Sequence, residues 1–150
     1  MYSPLERGKL WDTHFSIEIM TINDEQLAKL INLARQMRER AYAPYSGYRV
    51  GAAALTDRGV MFGGCNVENA SYGSTICAER NAVCRAIAEG EMKLKALAVV
   101  TSDGASICGA CLQVISEFTH EPDKMRIILI DEAENFKQLT LADLLPHPFK

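Results

Sequence analysis

Two short cysteine clusters constrain this chain more than any other feature: Cys77-Ala78-Glu79-Arg80, and Cys108-Gly109-Ala110-Cys111 further along. Cys108 and Cys111, three apart, share one face if the segment is helical, so both can reach a single ion, while Cys77 must arrive from another element. Three thiolates and one adjacent carboxylate are the inventory of a zinc-water catalyst. A structural zinc closes its tetrahedron with four protein ligands; a catalytic one takes three and leaves the last position to water or substrate.

Both clusters fall where a loop is expected to run into a helix, so first-turn amides and the positive end of each helix dipole favour thiolate over thiol. Glu79, two residues after Cys77, lies near the metal but off the coordination axis, the place for a proton shuttle. Three thiolates on a divalent ion leave a formal charge of −1, which opposes ionisation of a bound water. The guanidinium of Arg80 is expected to hydrogen-bond the thiolates and offset that charge. Other assignments exist for several of these residues. Glu79 could simply complement a helix dipole, Arg80 could be solvated, and Cys84 reads as a small core residue. Cys65 could join the other three in a closed, purely structural site. His14, His120 and His147 receive no role.

The 150 residues fit one domain, read here as 21–150 behind an N-terminal extension, 1–20, that carries Trp11 and Phe15 without periodicity. With 48% apolar and 23% charged residues the chain can bury a core. No apolar run approaches a membrane span, and residues 1–20 lack a signal-peptide pattern. A net charge of −3 argues against a nucleic-acid partner and for a small-molecule substrate. Five cysteines are an odd number for a disulfide framework, which together with the missing leader suggests the cytoplasm.

Asn23 can cap a helix with Gln26 at its third position, and Leu27, Leu30, Ile31, Ala34 and Met37 recur at helical spacing until Ala43-Pro44. Residues 48–56 and 60–64 around Asp57-Arg58-Gly59 predict a hairpin, whose Gly51 to Ala54 stretch is small enough for close packing under a helix. A polar loop, 66–75, leads to a helix over 76–89 stopped by Gly90. Then come a strand at 94–101, a helix at 108–118, strands at 125–131 and 136–139, and a terminal helix opened by Thr140-Leu141-Ala142-Asp143, with Asp in the usual Glu or Gln place of a capping box. The order implies one mixed sheet covered by helices.

A Cys-x-Glu followed by Cys-x-x-Cys is a general signature of zinc nucleobase deaminases. With Ala43-Pro44-Tyr45-Ser46, Val50-Gly51-Ala52-Ala53, Asn66-Val67-Glu68-Asn69-Ala70-Ser71-Tyr72 and Leu144-Leu145-Pro146 in the same order, the chain resembles the small, homotetrameric cytidine deaminases from about Ala41 to Pro146. The resemblance implies an α/β fold with a five-stranded mixed sheet flanked by helices on both faces. It implies hydrolysis of cytidine or 2'-deoxycytidine to the uridine product and ammonia, as in pyrimidine salvage. One zinc per subunit would be held by Cys77, Cys108 and Cys111, with Glu79 moving protons. Asn66 and Glu68 would grip the ribose, Tyr48 would lie beside the base, and the amide of Ala78 would meet the pyrimidine carbonyl. Tyr72 and Phe149 match positions lent to a neighbouring subunit's pocket in a homotetramer with shared sites.

Two positions depart from the family's Pro-Cys-Gly-x-Cys-Arg-Gln: Ile107 replaces the proline and Leu112 the arginine, with Gln113 kept. The first loses a preset backbone angle and the second a positive charge beside Cys111. Two other readings stay open: a deaminase for another cytosine-bearing small molecule such as a nucleoside antibiotic, although Asn66 and Glu68 as ribose grips favour a plain nucleoside, and a non-catalytic, zinc-stabilised binding protein, which Ile107 and Leu112 make thinkable.

Overall fold

The computed structural model describes residues 22–149, and the extension read at 1–20 lies outside them. Helix α1 spans Asp24–Glu39, with the Asn23 side chain accepting from the Gln26 amide at 2.8 Å as the cap pattern requires. It ends before Ala43-Pro44 because the backbone is drawn off: the Tyr42 amide donates to the Asn66 carbonyl, starting a parallel bridge between Tyr42 and Val67. Strands β1 (Gly51–Thr56) and β2 (Met61–Cys65) form the expected hairpin. Helix α2 (Ala78–Ala88), strand β3 (Leu94–Val100), helix α3 (Gly109–Glu117), strands β4 (Arg126–Ile130) and β5 (Phe136–Thr140), and the short helix α4 (Leu141–Leu144) follow in that order among the described residues. The Thr140–Asp143 capping box is present in both directions.

The strands make one mixed sheet in the order β2-β1-β3-β4-β5, antiparallel except for the β3–β4 pair joined through α3. Because side chains alternate along a strand, β1 feeds two cores. Ala53 and Leu55 face α1 together with Ala96, Ala98, Ile128 and Ile130, while Ala52 and Ala54 face the other side with Leu97, Val99, Ile127, Leu129 and residues of α2 and α3. The fold is therefore helix, sheet, helix, as the resemblance implied.

Two glycines set how closely the helices lie. A Cβ on Gly51 would sit 2.0 Å from the Ala34 carbonyl oxygen of α1, and one on Gly64 would sit 2.4 Å from the Ala82 nitrogen and 2.5 Å from the Ala78 oxygen of α2. Gly64 thus seats the start of α2 directly on β2. Cys84 departs from its expected place: it is exposed. The buried face of α2 is Ala78, Glu79, Ala82, Val83 and Ala86, and Cys77 precedes the helix as its cap, so a spacing of two turns from Cys77 does not carry Cys84 inward.

Candidate active site

Cys77 and Cys108 occupy the same structural position, each being the N-cap of its helix with extended backbone (ψ 153° and 155°), and neither side chain is spent on capping. Cys111 follows in the first turn of α3 and is fully buried. The sheet brings the two helix starts together. The three Sγ atoms lie within 4.8 Å of one another, with Cys77 and Cys108 at 4.0 Å. Zinc–sulfur bonds of about 2.3 Å in a tetrahedron require sulfurs about 3.8 Å apart, so the cluster needs little contraction to hold the ion. Among the described residues no other grouping of this kind occurs, and Cys65 stands apart, its thiol directed at the Arg40 carbonyl.

The electrostatics fit a cation. The Cys77 thiol is drawn down to about 5, first by its hydrogen bond with Cys111, then by Arg80 and Cys108. The same bond, reinforced by burial and by the nearby Glu79 charge, drives the Cys111 thiol upward. Three sulfurs gathered this closely, with an arginine beside them, are a donor set that a divalent ion completes. The Arg80 guanidinium reaches Cys77 Sγ at 3.9 Å and the Thr75 carbonyl at 3.3 Å, which places it where the charge argument needs it.

Glu79 is 6% exposed, and burial beside the Cys77 charge lifts its carboxyl to about 7. It enters none of the ion pairs among the described residues. A carboxyl with that affinity can both take and return a proton near neutrality. Ala78, at the first position of α2, is fully buried; its amide belongs to the first turn and has no partner within the helix.

Asn66, Val67 and Glu68 run beside Ile76, which precedes Cys77, through a bridge between Val67 and Ile76. Alternation turns Val67 out and Asn66 and Glu68 in, the latter two 8% and 7% exposed. Asn66 Nδ2 donates to the Tyr48 carbonyl at 2.8 Å and its Oδ1 accepts from the Val50 amide at 2.9 Å. Glu68 accepts from the Tyr45 and Ser46 amides and the Ser46 hydroxyl, and that hydroxyl above all holds its carboxyl below the ordinary range. The Tyr48 hydroxyl donates to Asp103 Oδ1 at 2.7 Å. Ser46 lies in the Ala43-Pro44-Tyr45-Ser46 motif but Asp103 in none, and only the folded chain brings the two to these partners.

Tyr72 lies in a single 3-10 turn, Tyr72–Ser74, and Phe149 near the end of the chain, their side chains turned to solvent. Among the described residues no hydrogen bond joins Tyr72 to the cysteines, and Phe149 is held to α3 through its backbone alone. Ile107 and Leu112, the departures beside the ligands, are both buried in the core under α2 and α3.

The Cytidine and deoxycytidylate deaminase zinc-binding region family model matches residues 24–125. The chain belongs to this deaminase family. A cytidine deaminase of Sporosarcina psychrophila is 45% identical over 123 residues, 81% of this chain and 89% of that one. The crystal structure of cytidine deaminase from Burkholderia pseudomallei superposes with a TM-score of 0.76 at 43% identity, covering 81% of this chain and 98% of that one. That from Mycobacterium tuberculosis gives 0.70 at 41%, covering 83% and 97%. Zinc is thus the cofactor of this deaminase family member, and Cys77, Cys108 and Cys111 are the cluster able to hold it. No helix among the described residues is long and apolar enough to cross a membrane.

Proposed function

We propose that the protein hydrolyses cytidine and 2'-deoxycytidine to uridine and 2'-deoxyuridine, releasing ammonia, as a step in pyrimidine salvage. The observation that carries this reading is the meeting of three sulfurs from two helix starts with one buried, unpaired carboxylate. Zinc held by Cys77, Cys108 and Cys111 supplies Lewis acidity that makes water a nucleophile at neutral pH. Arg80 offsets the thiolate charge. The Glu79 carboxylate takes a proton from the water that adds to C4 of the pyrimidine and passes it to N3. It then takes the remaining proton from the new C4 hydroxyl and gives it to the amine, so that ammonia leaves as the C4–N bond breaks and the C4 carbonyl forms. The free amide of Ala78 holds the pyrimidine carbonyl, and the inward faces of Asn66 and Glu68 hold the ribose hydroxyls. With both Oε2 sites taken by the Tyr45 and Ser46 amides and one on Oε1 by the Ser46 hydroxyl, Glu68 keeps its remaining Oε1 lone pair for this. Tyr48 forms the wall beside the base.

A homotetramer with shared sites accords with the surface. Tyr42, Val67 and Ile76, joined by bridges into one small sheet, are 55%, 44% and 42% exposed, and Tyr72 and Phe149 are 74% and 85% exposed. A neighbouring subunit would cover the first group and receive the second. The free thiols of all five cysteines suit a reducing cytoplasm.

The direct test is incubation of the zinc-loaded protein with cytidine, 2'-deoxycytidine, cytosine and a cytosine-bearing antibiotic, following the loss of the cytosine absorbance. Loss with the two nucleosides supports the reading. Loss only with another cytosine compound moves the substrate, and no loss at high protein concentration leaves a zinc-stabilised binding protein. Sedimentation gives the subunit number, and an active monomer would contradict the shared site.

A further inference from the structure

All three polar groups of Tyr48 are engaged, and they lead to different parts of the site. Its amide donates to Ser46 Oγ at 3.0 Å, and the Ser46 hydroxyl in turn donates to Glu68 Oε1. Its carbonyl accepts from Asn66 Nδ2, and its hydroxyl donates to Asp103. Asp103 is itself held firmly. The same Oδ1 accepts from the Thr101 hydroxyl and the Ala105 amide, both at 3.2 Å, and the Asp103 backbone bridges to Asp131 at the end of β4. Thr101 is buried, and its Oγ1 also receives the Gly104 and Ala105 amides. The loop so fixed continues through buried Ile107 into Cys108.

An aromatic side chain tied only through its backbone still turns about χ1 and χ2. A hydroxyl–carboxylate bond at the far end of the ring removes that freedom, and charge-assisted bonds of this type are the stronger kind. We infer that Asp103 is a positioning residue for nucleoside binding: it locks the Tyr48 ring and thereby joins the segment carrying Asn66 and Glu68 to the loop that leads into Cys108 and α3. The inference rests on the nucleoside reading given above. Its signature is a binding effect without a chemical one, because the lock touches neither the sulfurs nor Glu79.

The test uses the zinc-loaded full chain and its Tyr48→Phe, Asp103→Ala and Asp103→Asn variants, and the Tyr48→Phe/Asp103→Ala double. It measures kcat and KM for cytidine, the Kd for uridine by calorimetry, and zinc content. Tyr48→Phe removes only a hydroxyl and is expected to raise KM and the uridine Kd together by about three- to tenfold, as for one side chain that must be ordered on binding. Its kcat should stay within about twofold and its zinc content unchanged. Asp103→Ala should do at least as much, Asp103→Asn, which keeps an acceptor, should recover part of the loss, and Tyr48→Phe should add nothing in the Asp103→Ala background. Parent-like KM and Kd for Tyr48→Phe, strictly additive effects in the double variant, or a fall in kcat with KM unchanged each overturn the inference. A parent protein that neither turns over cytidine nor binds uridine overturns the nucleoside reading, and this inference with it.

Discussion

The side-chain amide of Gln113 grips the backbone of Phe149 from both sides, Nε2 donating to its carbonyl at 2.9 Å and Oε1 accepting its amide at 3.0 Å. The end of the chain is thus anchored to α3, two residues after Cys111, while the Phe149 ring stays exposed. Replacing Gln113 by Leu removes two hydrogen bonds worth about 0.5–1.5 kcal/mol each. KM for cytidine should rise several-fold, and deletion of residues 147–150 should raise it further. Steady-state kinetics with hydrogen exchange of the tail check this; a parent-like KM in the deletion would remove Phe149 from the substrate site.

Glu79→Gln keeps the shape of the buried side chain and loses its proton transfers. Zinc content and thermal stability should match the parent, while kcat falls by at least about 10²–10⁴-fold. A parent rate on cytidine would show that another group moves the protons.

Arg80 and Leu112 separate charge from packing. Arg80→Gln withdraws the guanidinium from Cys77 and should weaken zinc retention by about 10–100-fold, read by competition with a chelator. Leu112 is 6% exposed within the core, so Leu112→Arg should not rescue that loss and should cost about 2–4 kcal/mol of stability by burying a charge among apolar side chains. A variant as stable as the parent, with tighter zinc, would mean that the new guanidinium reaches the sulfurs.

Gly64→Ala forces backbone of α2 away from β2. A loss of about 1–3 kcal/mol is expected, each kcal/mol lowering Tm by about 2–4 °C at this chain length. Gly73, with nothing within 4 Å of a new Cβ, is the control, and Gly73→Ala should be close to neutral by the same melting assay.

The capping box of α4 gives a pH dependence with a definite sign. The Thr140 amide and hydroxyl hold the Asp143 carboxyl below 3.8, its ordinary value. Its contribution is complete well above that value and is lost as pH falls through the lower folded value. Asp143→Asn should therefore melt below the parent at pH 7, with the gap closing in strong acid. A gap constant over that range would mean that the charge contributes nothing.

What could be read from the chain was local. Asn23 with Gln26, Thr140 with Asp143 and Gly90 at the end of α2 each act within one turn, so their elements are legible from spacing. The metal cluster is legible for a different reason: few residue types bind zinc, and three of them stand at helix starts. Partners far apart in the chain were not legible. Tyr48 finds Asp103, and Gln113 finds Phe149, only because the sheet order and the return of the tail bring them together, and no pattern at either residue records that. Spacing alone does not tell which face of α2 is inward, and Cys84 falls on the side away from Ala78, Ala82 and Ala86. Ile107 and Leu112 differ from the family pattern in backbone angle and charge, but in the fold both fill volume among apolar neighbours.

Strand β1 separates two regions with different obligations. The cysteines and Glu79 belong to α2 and α3 on one of its sides, and α1 covers the other. A change in volume at Ala52 or Ala54 pushes towards α2 and α3, while the same change at Ala53 pushes towards α1. The two sides thus differ in evolutionary latitude. Substitutions under α1 can accumulate at the expense of stability alone, and those under α2 are tested by chemistry as well, although the positions alternate along one short segment of chain.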